Sequence, residues 1–275
     1  MGDKKKKSKK KVAIIVSSAC VGTAALITGW IAFCGYQWTW GPFSNLADIR
    51  LVKLEGNSSQ YGLDNVEELP SSPLKGKDIL YLGSSVTYGA SSMRTAFPEY
   101  IAKRNGTSFC KEAVSGTTLV DGMNSYIRRL KKVDKSRQFD LFVCQLSTND
   151  ATQKKPLGEV TPNGVSSYNV STVCGAIETI ISYVTDTWNC PVVFYTNPYY
   201  ESKPYSDMVD ALDEIQQKHG IGVIDFYRDA DFNNITEEER SLYMADPIHP
   251  TKAGYLKWWT PKMEAYLYDF VGKSR

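Results

Sequence analysis

A serine, a histidine and an aspartate stand in this chain where they could jointly carry acyl chemistry. Ser85 lies in Gly83-Ser84-Ser85-Val86-Thr87-Tyr88-Gly89, directly after a short apolar run, where a strand should turn into a helix. A serine at such a turn exposes its hydroxyl. The helix that follows aims its first amides and its positive dipole end at the same spot. Asp246 and His249 lie three residues apart in Asp246-Pro247-Ile248-His249-Pro250, where prolines stiffen the loop. A carboxylate bound to one imidazole nitrogen leaves the other to take a proton from a serine hydroxyl. The set supplies a nucleophile, its base and the group that orients the base, as ester hydrolysis or acyl transfer requires. Each part also has a plainer reading. Ser85 fits a helix N-cap, and the 246–251 stretch fits a rigid turn with Thr251 capping the next helix. The other histidine, His219, sits in Lys218-His219-Gly220 at an expected helix end and reads as a dipole partner or surface residue.

Ester cleavage also needs donors for the developing oxyanion. Gly116, in Val114-Ser115-Gly116-Thr117, can present a bare backbone amide. Asn149, in Ser147-Thr148-Asn149-Asp150, can donate through its side chain. Both segments also read as ordinary turns. Their joint occurrence carries the weight, because all four segments fall in order at strand ends or in loops before helices.

With these segments the chain resembles the SGNH, or GDSL-like, hydrolases over roughly residues 75–271. The resemblance implies Ser85 as nucleophile, His249 as general base and Asp246 as orienting acid. It implies an oxyanion hole made of the Ser85 amide, the Gly116 amide and the Asn149 side chain. It further implies a three-layer α/β/α sandwich around a five-stranded parallel sheet, in a flavodoxin-like arrangement. The reaction would pass through an acyl-enzyme, with no metal or other cofactor. Two positions depart from the family pattern. Ser84 stands where many members have Asp, and Ser147 where the third segment often has Gly. The first should alter local hydrogen bonding and the second should reshape the oxyanion side, with Ser85 retained. An α/β-hydrolase fits less well, since position 87 is Thr and the turn is not Gly-x-Ser-x-Gly.

The elements that must position these residues alternate. Strands are expected at Asp78–Gly83, Ser108–Val114, Asp140–Leu146, Pro191–Thr196 and Gly222–Phe226. Helices are expected at Phe97–Arg104, Met123–Val133, Val170–Trp188, Tyr205–His219 and Ala253–Val271. Uninterrupted apolar strands alternating with helices argue for a parallel sheet covered on both faces. Sites in such sheets lie at the carboxyl ends of the strands. Gly83, Ser115, Ser147 and Asn197 all fall just past strand ends and should share one rim.

The formal net charge of +2 over 275 residues conceals a division. Seven lysines against Asp3 give residues 1–11 a charge of +6, which leaves −4 on the remainder. A weakly acidic body offers no nucleic-acid-binding face. No Cys/His cluster has metal-site spacing. Cys110, Cys144 and Cys190 lie in or beside apolar runs and read as small core residues, and no disulfide is expected. No charge occurs from Val12 to Ala47. Val12–Cys34 is apolar enough and long enough to cross a bilayer, which takes roughly 20 residues. A cleaved signal peptide shares the basic start but usually ends in small residues, whereas Trp30, Phe33, Tyr36, Trp38 and Trp40 end this span. The expected layout is therefore a cytoplasmic tail over 1–11, a signal anchor over 12–36, a membrane-proximal linker over 37–74 and the hydrolase domain over 75–275. The positive-inside rule puts the N-terminus in the cytoplasm and the domain outside a single-pass cell membrane protein.

Tyr88, Tyr199 and Tyr200 are candidates to stack on sugar rings, or else to pack at loop edges. The 151–167 loop should border the site. An outward-facing, anchored enzyme would meet envelope or external glycans, so O-acylated and chiefly O-acetylated carbohydrate is the leading substrate. Lipid esters come next. An O-acyltransferase using the same triad, and a non-catalytic glycan-binding protein that keeps the fold, are the alternatives.

Overall fold

Runs of Val, Ile, Leu, Phe and Tyr form five parallel strands in the computed structural model, which describes residues 20–37 and 41–273. They are β1 (Asp78–Gly83), β2 (Ser108–Ala113), β3 (Leu141–Gln145), β4 (Val192–Tyr195) and β5 (Gly222–Ile224), in the order β2-β1-β3-β4-β5. Gly83 pairs with Ala113 on one side, while Leu82 pairs with Cys144 on the other. The sheet grows in opposite directions from β1, and the crevice beside such a reversal is where doubly wound folds bind ligands.

The helices among these strands include α1 (Ser85–Tyr88), α2 (Phe97–Asn105), α3 (Tyr126–Leu130), α4 (Thr148–Thr152), α5 (Val173–Trp188), α6 (Lys203–His219), α7 (Ala230–Asn233), α8 (Glu237–Tyr243) and α9 (Thr260–Lys273). Side chains alternate across the sheet with period two. Leu80, Leu82, Phe142, Cys144 and Phe194 face a layer containing α3, α5 and α6. Ile79, Tyr81, Leu141, Val143, Val193 and Tyr195 face the opposite layer, containing α2 and α9. The result is the expected α/β/α sandwich. Fully burying each large apolar side chain stabilises it by about 1.5–3 kcal/mol.

Several elements differ from expectation. The helix expected over Met123–Val133 contracts to α3, because Asp121 binds the Gly122 amide and the Ser125 hydroxyl and makes 121–125 a turn. Ser125 then caps α3 by accepting from the Arg128 amide. The helix expected over Ala253–Val271 begins with a π-helical turn at Gly254–Trp259, and both Trp258 and Trp259 are buried there. Helix α8 was not expected. It starts with a capping box in which Thr236 and Glu239 exchange hydrogen bonds.

The chain divides into two units at Arg50 and Leu51. Residues 51–74, expected as part of the linker, belong to the second unit. Asn57 is buried, donates to the Leu51 and Ser91 carbonyls and accepts from the Lys252 amide. The Tyr100 hydroxyl donates to the Tyr61 carbonyl, and Leu74 is fully buried. The first unit contains the helix Cys20–Gln37, whose length and mean hydropathy of 1.2 suit a membrane crossing or a signal sequence. Trp30 stacks on Phe33, and Arg50 donates to the Tyr36 and Gln37 carbonyls. Residues 1–19 of the expected tail and anchor, together with Trp38 and Trp40, lie outside the described residues.

Candidate active site

The turn carrying Ser85 depends on its glycine. A Cβ at Gly83 would lie 1.7 Å from Thr87 Oγ1 and 3.0 Å from Gln145 Oε1, so only glycine lets α1 fold back over the strand end. Ser84 precedes α1 with its hydroxyl turned inward. Gln145 Oε1 accepts from the Ser84 amide at 2.8 Å, the Ser84 hydroxyl at 3.1 Å and the Thr87 hydroxyl at 3.2 Å. The Thr87 hydroxyl also meets that of Tyr195 at 2.6 Å. Ser84 thus joins the buried network on Gln145 through both its amide and its hydroxyl, while Ser85 opens α1 with 7% of its surface exposed.

The histidine loop arrives from the C-terminal side. His249 Nε2 lies 2.8 Å from Ser85 Oγ, and His249 Nδ1 lies 2.8 Å from Asp246 Oδ2. Asp246 Oδ1 also accepts the amides of Ile248 and His249 at 2.8 and 2.9 Å. Burial pushes the Asp246 carboxyl up, but the hydrogen bond and charge of His249 and these two amides outweigh it and hold the group below the usual carboxylate range. An ionised Asp246 only accepts, so Nδ1 carries the proton and Nε2 is left to accept from Ser85. The loop is pinned at both ends. Thr251 donates its hydroxyl to the Leu242 carbonyl and accepts the Gly254 amide, so its capping role is also real. Asn197, fully buried after β4, donates to the Ile248 carbonyl at 3.0 Å.

The segments carrying Gly116 and Asn149 are joined through Thr117. Gly116 has φ +79°, and a Cβ there would find no atom within 4 Å, so its surroundings are open. Asn149 lies on α4, which Ser147 caps by accepting the Asp150 amide. The Asn149 side chain donates to the Thr117 carbonyl at 3.0 Å, which leaves its second N–H. Asp150 is fully buried and accepts the Leu119 and Val120 amides at 2.7 and 3.0 Å. Burial raises its carboxyl pKa against those bonds. These contacts tie the loop after β2 to the helix after β3.

A groove of about 550 Å³ runs beside Asp246. Tyr199, Tyr200 and Glu201 from the loop after β4 form one wall, and α8 supplies Glu237 and Arg240. Tyr199 is 58% exposed. Tyr200 packs against Tyr205 and Tyr227 with ring centres 5.0 and 6.0 Å away. Tyr88 is not part of this lining. It is half-buried at the end of α1, where its carbonyl receives Lys111. The 151–167 loop meets the site near its start, where Gln153 donates to the Gly116 carbonyl and the Lys155 amide to the Asp150 carbonyl. Farther on it is tied to Glu178 and Lys218 through Thr161. His219 joins that same pair, its Nε2 3.0 Å from Glu178 Oε1, and takes no part in the site.

Sequence reasoning missed Gln145, Arg129 and the anchoring role of Asn197. The available signals were a glutamine inside an apolar strand run and an arginine three residues after Tyr126 on the buried side of α3.

The profile of the GDSL-like lipase/acylhydrolase family matches residues 81–257. No curated protein matches the chain. Several solved structures do. A Lactobacillus plantarum protein superposes with a TM-score of 0.59 at 19% identity, covering 70% of this chain and 97% of its own. A Bacteroides ovatus protein assigned to the GDSL-like lipases gives 0.54 at 17% identity, covering 71% and 99%. A family two carbohydrate esterase from Clostridium thermocellum, in complex with cellohexaose, gives 0.52 at 14% identity, covering 75% of this chain and 66% of the esterase chain. At these identities the likeness is one of fold. The profile spans well over half of the sequence and includes all four motif segments, and on that ground the chain belongs to the GDSL-like lipase/acylhydrolase family.

Proposed function

We propose that the protein is a membrane-anchored serine esterase that removes acyl groups, chiefly acetyl, from carbohydrate outside the cell membrane. The observation that carries this reading is the continuous hydrogen-bonded chain from Ser85 Oγ through His249 to Asp246. Ser85 Oγ bonds to the acyl carbon as Nε2 takes its proton. The oxyanion is held by the Ser85 and Gly116 amides and the Asn149 side chain. Collapse breaks the bond to the alcohol oxygen, which receives the proton from Nε2. Water then attacks the acyl-enzyme, giving one proton to Nε2, and the bond from the acyl carbon to Ser85 Oγ breaks as Oγ takes that proton back and the carboxylic acid leaves.

The groove supports a sugar as the alcohol. The leaving oxygen must lie within reach of Nε2, on the imidazole side of Ser85. The oxyanion donors follow β2 and β3, while the groove is walled by the loop after β4 and by Asp246 itself. Tyr199 can lie against a sugar ring. Glu201, Glu237 and Arg240 can bond its hydroxyls, and the Arg240 guanidinium has no other partner among the described residues. Charged walls suit a lipid alcohol poorly. The carbohydrate esterase neighbour is consistent with this reading. The lysine-rich start and the apolar Cys20–Gln37 helix support an anchor with its N-terminus in the cytoplasm. The test is acetate release from p-nitrophenyl acetate and from acetylated oligosaccharides by the full-length chain in detergent, beside Ser85→Ala. Release that depends on Ser85 supports the reading. No release by a folded protein, or release only onto an added acceptor, moves the function to binding or to acyl transfer.

A further inference from the structure

A buried cation sits beneath the oxyanion donors, and the mechanism above does not use it. Arg129 is 3% exposed. All four of its hydrogen bonds end on neutral oxygens: the carbonyls of Glu112 at 2.5 Å, Gly83 at 2.8 Å and Asn124 at 3.3 Å, and the Thr117 hydroxyl at 3.1 Å. Among the described residues no carboxylate lies within ion-pair distance of it. Its guanidinium also lies 5.2 Å from the centre of the Tyr126 ring. Burial holds the neighbouring Tyr126 and Cys144 neutral. Burial also lowers the Arg129 pKa, yet a guanidinium stays charged in proteins. Leaving a charge uncompensated in the interior is costly, so its bonding partners matter.

Those partners are specific. Gly83 lies two residues before Ser85. Thr117 follows Gly116, and its carbonyl receives the Asn149 side chain. The Thr117 hydroxyl closes the Gly116 turn by donating to the Val114 carbonyl at 2.7 Å. One rigid fork therefore grips both backbone segments whose amides would meet the oxyanion. We infer that Arg129 is a positioning residue of the oxyanion hole: it fixes the spacing of the Ser85 and Gly116 amides and adds a permanent positive field behind them. The inference rests on the esterase reading. A field of this kind is worth more in a dry site than in water and needs no reorganisation as charge develops.

The experiment compares full-length Arg129→Gln, Arg129→Lys, Thr117→Val and Ser85→Ala on p-nitrophenyl acetate, with inhibition by phenylboronic acid as the readout of tetrahedral-anion binding. Losing a direct oxyanion donor costs about 10²–10³ in kcat, so Arg129→Gln should lose about 10–100-fold with KM nearly constant. Its boronate affinity should weaken in parallel. Arg129→Lys, which keeps the charge, should recover part of both losses. Thr117→Val, which cuts the grip on the Gly116 turn, should lose kcat several-fold. A folded Arg129→Gln with unchanged kcat overturns the proposal. So do equal losses in the Lys and Gln variants with unchanged boronate affinity, which would make Arg129 a carbonyl staple alone. If the Gln variant does not fold, parental kcat in both Arg129→Lys and Thr117→Val overturns it. Parent turnover that survives Ser85→Ala removes the esterase reading itself, and this role with it.

Discussion

His249 Nε2 and Ser85 Oγ meet at 2.8 Å although 164 positions separate them in the chain. Neither side chain closes a structural network on which the core depends, so chemistry and folding should separate cleanly. Ser85→Ala and His249→Ala should each lower kcat on the order of 10⁶-fold while the melting temperature stays within a few degrees. His219→Ala should keep full turnover and lose about 1 kcal/mol of stability, because Glu178 retains Lys218. A His219→Ala protein that is folded yet inactive would reverse the assignment of the two histidines.

The Asp246 carboxyl lies below its usual range in the folded protein. A lowered folded-state pKa stabilises the protein at pH values above the unfolded one, and that contribution fades as pH falls through the folded value. Parent minus Asp246→Asn stability should therefore be constant near neutrality and narrow below pH 3.8, the ordinary carboxyl value. The same variant should lose up to about 10⁴-fold in kcat at neutral pH, since an amide cannot enforce the Nδ1–H tautomer. Chemical denaturation across pH 2.5–7 checks the first expectation, and a gap that stays constant throughout refutes it.

Gln145 holds the turn before Ser85 through a shared acceptor. Gln145→Leu would leave the Ser84 amide and hydroxyl and the Thr87 hydroxyl without their shared acceptor in a fully buried place. Buried donors left unpaired cost about 1–3 kcal/mol each, partly relieved by local shifts, so a loss of about 2–4 kcal/mol is expected in urea unfolding. Activity should fall as well, because Ser85 follows directly on Ser84. Parental stability in this variant would mean the network contributes little.

The groove should matter only when the substrate carries a sugar. Arg240→Ala and Tyr199→Ala should raise KM for acetylated oligosaccharides about tenfold, equivalent to ~1.4 kcal/mol, and leave p-nitrophenyl acetate unchanged. Equal effects on both substrates would point to a disturbed histidine loop, since Asp246 borders the same groove.

Much of the site was legible in the sequence because its signals are local. The Gly83–Gly89 turn, the proline-flanked Asp246–His249 loop and the Gly116 turn depend on glycine, proline and capping chemistry that acts over a few residues. The five strands were legible for a similar reason. Their apolar runs are bounded by turns, and all five lie within the stretches expected of them. Helix α3 shows the limit, since its apolar spacing extended beyond the point where Asp121 diverts the backbone into a turn.

The sequence by itself determined which residue types could do the chemistry and that they fall at strand ends or before helices. Only the tertiary structure decided which of them meet. The order β2-β1-β3-β4-β5 puts β1 between the two strands that Gly116 and Asn149 follow. Gln145 reaches Ser84 across 61 positions, and Arg129 reaches Gly83 across 46. Neither contact leaves a local signature, because a buried polar side chain takes its role from partners that strand pairing delivers. The groove beside Asp246 likewise exists only where α8, the loop after β4 and the histidine loop converge. Local propensity reaches a few residues along a chain, whereas a site is assembled by packing between segments far apart in it.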